Sequence, residues 1–447
     1  MKQYLPAGRC ACGKIHTSTV RDVLTGSGAV RRLPECISTL GGSKPFLLAD
    51  AGTDQAAGSL VCRILDDAGF AWTKHVYPKG PEEKLQLVEP DETAVGSACM
   101  HFDRSCDIII GIGSGVINDI SKILSNLTGL PYIIVATAPS MDGYASSTSS
   151  MAMDGLKVSL PSRCADIIIG DTDILKNAPF ILMQSGIGDM IAKYVSIAEW
   201  RISHIITGEY YCEEVAGLIR RALQKCIDNA EGYTRREEAA VEAVFEGLTL
   251  GGIAMSYAGV SRPASGIEHY FSHVWDMRAL TFGTPSSLHG IQCAMATLIA
   301  VRLYEKLRQI RPDREKAVRY VQQFDLEDWH SQLLAFLGRS GETMVELEKK
   351  EGKYRKDTHL CRTGRPAHRR NALLAGHQDR CHRHVLRDPH GGLAGHTLGH
   401  ARIQPDRREN EGNPGSQQCQ KAGDCRRHDR RRGDGKMARK RLKATAM

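Results

Sequence analysis

Nowhere does this 447-residue chain run through the roughly 18 to 20 consecutive apolar residues that a membrane-spanning helix requires. Its opening, MKQYLPAGRCACGKIH, has none of the apolar run of a secretory signal. The expected compartment is therefore the cytoplasm, with no membrane span. Aromatic residues are scarce, 6% of the chain, and none follows Tyr354. The 93 residues beyond it hold only 11 Leu, Ile, Val or Met, too little apolar surface to offset the entropy of ordering a chain. Residues 355–447 are therefore expected to be disordered. Cysteine is the exception to this scarcity. Fourteen are scattered from Cys10 to Cys425, and in a long chain of intracellular type they read as free thiols rather than as a disulfide framework.

The net charge of +8 hides two parts of opposite sign. From Arg355 to Met447 there are 23 Lys and Arg against 9 Asp and Glu, whereas the first 354 residues have 36 basic and 42 acidic side chains. The body is thus mildly acidic, and charge gives it no reason to bind nucleic acid. The switch at Lys353 and Tyr354 is abrupt and cuts off a helical pattern in GETMVELEKKEGKY. The reading preferred here is a change of reading frame, because out-of-frame translation of a GC-rich gene yields such mixtures of Arg, Gly, His and Pro. A genuine basic tail for an acidic surface or nucleic acid is the alternative.

Three parts are expected: an α/β dinucleotide-binding domain over 1–178, a helical metal- and substrate-binding domain over 179–354, and the basic tail over 355–447. In the first, PFLLAD, FAWTKHVYP, CDIIIGIG and PYIIVAT read as strands. Between them QAAGSLVCRILDDAG, DETAVGSACMHF and VINDISKILSNLTG read as helices. Repeated βα units argue for a mostly parallel sheet covered by helices. After Pro179, QSGIGDMIAKYVSIAEWRISHI, EEVAGLIRRALQKCI and EEAAVEAVFEGLTLGGIAM keep helical spacing and no convincing strand follows. A site is expected in the cleft between the first two parts.

Gly111-Ile112-Gly113-Ser114-Gly115 ends a strand and opens a helix, where backbone amides could hold a pyrophosphate. The later glycine of the usual dinucleotide fingerprint is missing, so purely structural glycines remain open. Thr137 to Ser146 is a hydroxyl-rich loop after a strand, in which Asp142 is either functional or a turn cap. Asp189 and the histidines of SRPASGIEHYFSHVWDM and GTPSSLHGIQ are candidates for a metal held by one carboxylate and two imidazoles. His269 and His273, at i and i+4, share a helix face, although isolated pairs of this kind also arise by chance. Cys10-Ala11-Cys12 with His16 offers two thiols, a poor tetrahedral set, and is read as packing locally.

In this order the motifs resemble the glycerol dehydrogenase and dehydroquinate synthase superfamily, most closely the bacterial sn-glycerol-1-phosphate dehydrogenases, over residues 8–353. SRPASGIEHYFSHVWDM is the most specific piece. The resemblance implies an α/β nucleotide-binding domain followed by an all-helical domain, the dehydroquinate synthase-like or iron-containing alcohol dehydrogenase-like fold. It implies NAD, or NADP, contacted by Gly115, Val116, Ile117, Asn118, Asp119, Thr137, Ala138, Pro139, Ser140 and Ser146. It implies one divalent ion, nickel or zinc with iron as a third candidate, on Asp189, His269 and His289. Substrate would meet Asp142, Asp189 and His273, with Asp142 or His273 handing on the proton. The reaction implied is hydride exchange between dihydroxyacetone phosphate and sn-glycerol 1-phosphate, in an enzyme that could be a homodimer.

Asp50, ending the PFLLAD strand, could hydrogen-bond the adenosine ribose and disfavour a 2′-phosphate, or could be an ordinary turn residue. The alternatives are a glycerol or other alcohol dehydrogenase of the same superfamily, and an inactive frameshifted product. The family pattern continues into further helices where this chain has its basic tail. Retranslating the gene beyond codon 353 is expected to uncover apolar helical periodicity in another frame; its absence from both alternative frames would reject the frameshift.

Overall fold

The computed structural model describes residues 5, 8–78, 88–153, 156–311 and 313–351. All belong to one unit of the chain, Met1–Leu398, and the second unit, Gly399–Met447, lies outside the described residues, as does the tail to which disorder was assigned.

Eight strands are present among the described residues: β1 (Asp22–Gly26), β2 (Pro45–Asp50), β3 (Thr73–Tyr77), β4 (Ile108–Gly113), β5 (Tyr132–Ala136), β6 (Thr148–Met153), β7 (Leu156–Pro161) and β8 (Ile167–Asp171). Six form one parallel sheet in the order β1-β8-β5-β4-β2-β3, while β6 and β7 make a separate antiparallel hairpin. The register sets Leu47 beside Ile110, Gly111 beside Ile134 and Ile134 beside Ile168. These strands are nearly unbroken apolar runs because helices cover both faces of a parallel sheet.

The strand period of two sorts their side chains. Leu47, Ala49, Ile108, Ile110 and Ile112 face one way, against helices α1 (Leu33–Thr39) and α3 (Ser59–Asp67), while α2 (Ala51–Thr53) is a single turn after β2. Phe46, Leu48 and Ile109 face the other way, against α4 (Glu92–His101) and α5 (Gly115–Thr128). The strands and helices expected up to β5 are all present. Sequence reading assigned no element to β1, to β8 or to the β6–β7 hairpin.

After the short α6 (Thr172–Leu175) the chain is helical: α7 (Phe180–Thr207), α8 (Glu213–Asp228), α9 (Ala230–Thr234), α10 (Glu238–Ala258), α11 (Ile267–Phe282), α12 (His289–Leu307), α13 (Arg314–Gln323), α14 (Leu326–Leu337) and α15 (Arg339–Glu351). Helix α10 is long and apolar enough by composition to cross a bilayer, yet its most apolar stretch is 72% buried within the protein. It is apolar on all sides because it packs against the sheet side and against α7 and α8 at once.

Three glycines let the backbones meet where the site forms. A Cβ on Gly186 of α7 would lie 1.8 Å from the Pro139 carbonyl oxygen in the loop after β5. One on Gly290 of α12 would lie 1.8 Å from the Ser185 carbonyl oxygen, and one on Gly188 would lie 2.4 Å from the Gly290 oxygen. Loop, α7 and α12 therefore touch through main chain, which brings Asp189, Asp142 and His289 together. Gly290→Ala is expected to lower stability by about 1–3 kcal/mol through overpacking. Gly96→Ala, whose Cβ would meet nothing within 4 Å in the middle of α4, is expected to raise it by about 0.5–1 kcal/mol. Thermal melts of both variants check the pair; equal effects would show that backbone contact is not the constraint.

Candidate active site

His269 opens α11, His289 opens α12 and Asp189 lies in the first half of α7. The two imidazole rings lie 5.0 Å apart, centre to centre, and His269 Nε2 is 4.0 Å from Asp189 Oδ1. Two donors each about 2 Å from a tetrahedral ion stand about 3.3 Å apart, so binding would bring this pair about 0.7 Å closer. Both rings are held by their other nitrogen. His269 Nδ1 is 2.8 Å from Glu268 Oε1, and His289 Nδ1 is 3.0 Å from the Ser272 hydroxyl. That hydroxyl donates its own proton to Gln292 Oε1 at 2.6 Å, so it accepts from His289. Each Nδ1 is thus tied to a partner behind the ring, which leaves Nε2 as the nitrogen available to a metal.

The electrostatics favour a cation between these groups. Burial works against charging the imidazoles, but Cys293 and, for His269, the fully buried Glu268 push both upward. Burial also opposes the Asp189 carboxylate, yet Lys193, His289 and His269 hold it well below the usual range. The donors therefore fit a divalent ion by type and charge. Among the described residues, the Cys293 thiol joins the two imidazoles in a group of potential donors within 4.8 Å of one another, with Sγ 3.6 Å from His289 Nε2. Burial raises this thiol, and the neighbouring histidines bring it down to about 7. Its place one turn after His289 was the available sequence signal, and it went unread.

Lys193 was also unread. Fully buried, it places Nζ 2.7 Å from both Asp189 Oδ1 and Asp142 Oδ2. Burial disfavours its charge, but the two carboxylates outweigh that and raise its pKa. Asp189 also accepts the Asp142 backbone N–H at 2.9 Å. The i, i+4 pair of charges on an apolar helix was the clue.

His273 faces a cavity of about 370 Å³ lined also by His269, Ser261, Arg262, Ser265, Tyr270, Val260 and Glu209. Burial, then the neighbouring His289 and His269, lowers its pKa to about 4, so it is neutral at physiological pH. Arg262 Nε donates to Glu209 Oε1 at 3.0 Å. Asp142, by contrast, is only 9% exposed and points to Lys193.

On the sheet side, the chain leaves β2 for β3 in one direction and returns to β4 in the other. The crevice between the carboxyl ends of β2 and β4 is thus the topological switch point, where open α/β sheets bind ligands. Asp50 ends β2 and Gly115 begins the helix after β4. Asp50 Oδ1 accepts the Gly52 and Thr53 N–H groups at 2.8 and 2.9 Å, a helix cap that leaves its other oxygen. The Ser114 side chain does not cap α5 but pairs with Ser140, leaving amides of the first turn without a side-chain cap.

Val116 is half-buried, and Ile117 and Asn118 are buried, Asn118 bridging the Gly143 carbonyl and the Tyr132 hydroxyl. Asp119 accepts the Ser150 N–H at 3.2 Å and pairs with Lys122 at 2.8 Å. Thr137, Ala138 and Ser140 are buried along the loop after β5, which Pro139 shares, and the Ser146 hydroxyl meets Thr148 at 2.9 Å. Gly113 has a packing reason of its own, since a Cβ there would lie 2.5 Å from Ile117 Cβ.

Residues 24–179 match the family described as iron-containing alcohol dehydrogenase. A glycerol-1-phosphate dehydrogenase (NAD(P)+) of Halalkalibacterium halodurans is 32% identical over 300 residues, covering 67% of this chain and 74% of that protein. One from Methanosarcina mazei is 33% identical over 286 residues, covering 64% and 76%. The chain belongs to the glycerol-1-phosphate dehydrogenase family. Its fold is shared with the glycerol dehydrogenase of Schizosaccharomyces pombe, with a TM-score of 0.50, 22% identity, and coverage of 72% of this chain and 76% of that one. The expected architecture of a parallel α/β sheet followed by helices in the dehydroquinate synthase-like manner is therefore the observed one.

For a member of the glycerol-1-phosphate dehydrogenase family, the carboxylate behind His269 is the most accessible test of the metal reading. Glu268→Gln keeps the shape but removes the charge that makes the imidazole a better donor. It is expected to weaken metal affinity about 10- to 100-fold, measured by competition with a chromogenic chelator; unchanged affinity would contradict it.

Proposed function

We propose that this oxidoreductase interconverts dihydroxyacetone phosphate and sn-glycerol 1-phosphate by hydride exchange with NAD or NADP. The observation that carries the reading is the convergence of Asp189, His269 and His289, with both imidazole Nδ1 atoms tied back, beside a cavity that also holds Arg262 and two serine hydroxyls. When bound there, a divalent cation, nickel or zinc with iron as the third candidate, supplies Lewis acidity to the oxygen on the reacting carbon.

The chain's own residues do the rest. Arg262, with Ser261 and Ser265, gives the cavity a cation and hydroxyl donors suited to a phosphate. Neutral His273 in the same cavity is placed to move a proton to or from the substrate oxygen. Asp142, held by Lys193, positions the carboxylate side of the site.

The dinucleotide takes the switch-point crevice, with its pyrophosphate at the first turn of α5 (Gly115, Val116, Ile117) and its nicotinamide end along Thr137, Ala138, Pro139, Ser140 and Ser146. Asn118 and Asp119 support that turn. The free oxygen of Asp50 would favour NAD over NADP. The same reading takes 1–178 as the nucleotide-binding part and 179–354 as the metal- and substrate-binding part. It also includes a cytoplasmic location and a homodimer.

A glycerol dehydrogenase would have no use for Arg262. Arg262→Gln is expected to raise the KM for dihydroxyacetone phosphate by about 10- to 100-fold, the cost of a lost charge-assisted hydrogen bond, with little effect on unphosphorylated dihydroxyacetone. Steady-state kinetics on both substrates checks this. Equal losses on the two, or a wild type faster on glycerol, would favour the polyol reading.

A further inference from the structure

The Cys10-Ala11-Cys12 and His16 motif does not stand alone in the fold. Cys212, the residue immediately before α8 some two hundred residues later, comes to the same point. Cys10 Sγ is 3.7 Å from Cys212 Sγ, and His16 Nε2 is 3.4 Å from both Cys12 Sγ and Cys212 Sγ. All four donor atoms lie within 4.8 Å of one another. From these distances we propose that Cys10, Cys12, His16 and Cys212 form a closed, structural zinc site that links the beginning of the chain to the α7–α8 loop.

The geometry is that of an assembled coordination shell. With Zn–S near 2.3 Å and Zn–N near 2.05 Å, the edges of a tetrahedron are about 3.8 Å between sulfurs and about 3.6 Å between sulfur and nitrogen. The distances found agree within a few tenths of an ångström. A disulfide would need about 2.05 Å between sulfurs and would leave the third thiol and the imidazole unexplained. The imidazole is again in ligand form, because His16 Nδ1 donates to the Tyr257 carbonyl at 2.9 Å and Nε2 is left to the thiols. The Tyr210 hydroxyl stands 3.3 Å from Cys12 Sγ, as an outer hydrogen-bond donor to a thiolate would.

The local chain has the turn such a site needs. The Cys10 N–H bonds the Lys14 carbonyl at 2.9 Å and the Gly13 N–H bonds the Cys10 carbonyl at 2.8 Å, with Gly13 at φ 90°. Only two thiols occur in the opening motif itself, and sequence spacing gave no sign of the third. Four donors, three of them thiolates, leave no open position for a substrate, so the site is structural.

Its position gives it a task. Lys14 Nζ lies over the Tyr210 ring at 3.6 Å and donates to the Ala258 carbonyl at 3.0 Å. The cluster therefore joins the loop that carries Glu209 to the end of α10, directly before Val260, Ser261 and Arg262. Those four residues line the cavity beside His269 and His273. The zinc would fix one wall of that cavity without touching its occupant.

The inference stands on this geometry and does not depend on the catalytic reading. The test uses the full chain carrying His269→Ala, which disables the other metal set. Purified under reducing conditions, it is expected to retain about one zinc per chain by elemental analysis. Replacing zinc with cobalt should give the intense visible bands of a tetrahedral ion together with a thiolate-to-metal charge-transfer band. Adding Cys212→Ser should abolish both. The same measurements on the otherwise unaltered chain, with alkylation of Cys10, Cys12 and Cys212 before and after chelation, keep the test valid if the double variant does not fold. Thiols that alkylate freely without chelator, a Cys10 to Cys212 disulfide in the peptide map, or zinc retained after Cys212→Ser would overturn the proposal.

Discussion

The candidate site is built around one buried ammonium group. Lys193 has no exposed surface and sits between the carboxylates of Asp189 and Asp142, which belong to a helix and to the loop after β5. Removing a charge from water costs several kcal/mol unless it is paired, so the lysine fixes where both carboxylates must be. The N–H of Asp142 on Asp189 closes the arrangement. Backbone contact at Gly186 and Gly290 allows it, since any larger residue would hold the helices and loop apart. With the carboxylates fixed, Asp189 Oδ1 stands 4.0 Å from His269 Nε2.

Two clusters in the molecule share one logic and differ in what they can do. In each, imidazole nitrogens are turned inward by a hydrogen bond on the opposite edge of the ring, to Glu268 or Ser272 in one and to the Tyr257 carbonyl in the other. The set near Lys193 combines a carboxylate with imidazoles, with the Cys293 thiol close by, and His269 lines a cavity where a substrate oxygen could approach, as catalysis by a Lewis acid requires. The set near Cys12 is dominated by sulfur and closed. The loop at Glu209 and the segment at Arg262 connect the two, through the ion pair that lines the cavity.

Much of the sheet was legible because its central strands are short, unbroken apolar runs, as in PFLLAD and PYIIVAT, bounded by turn residues. β1 was not, being an edge strand of five residues with one buried side chain. The β6–β7 hairpin carries serines and lysine rather than clean alternation. Of the residues expected to hold a metal, His269 lies 4.0 Å from Asp189 and 5.0 Å, ring to ring, from His289, while Lys193 and Cys293, each one turn after one of them, escaped notice because such i, i+4 spacing also arises by chance. Cys212 escaped for the stronger reason that nothing in a linear sequence pairs it with Cys10.

The account rests on a divalent ion on Asp189, His269 and His289 that takes part in turnover. The most direct measurement is the rate of dihydroxyacetone phosphate reduction by NADH in protein stripped by a chelator and then reloaded with nickel, zinc or iron. The account predicts that stripping abolishes the rate, that at least one of these ions restores it, and that Asp189→Asn prevents the restoration. Full turnover in stripped protein, or equal restoration in Asp189→Asn, would contradict it.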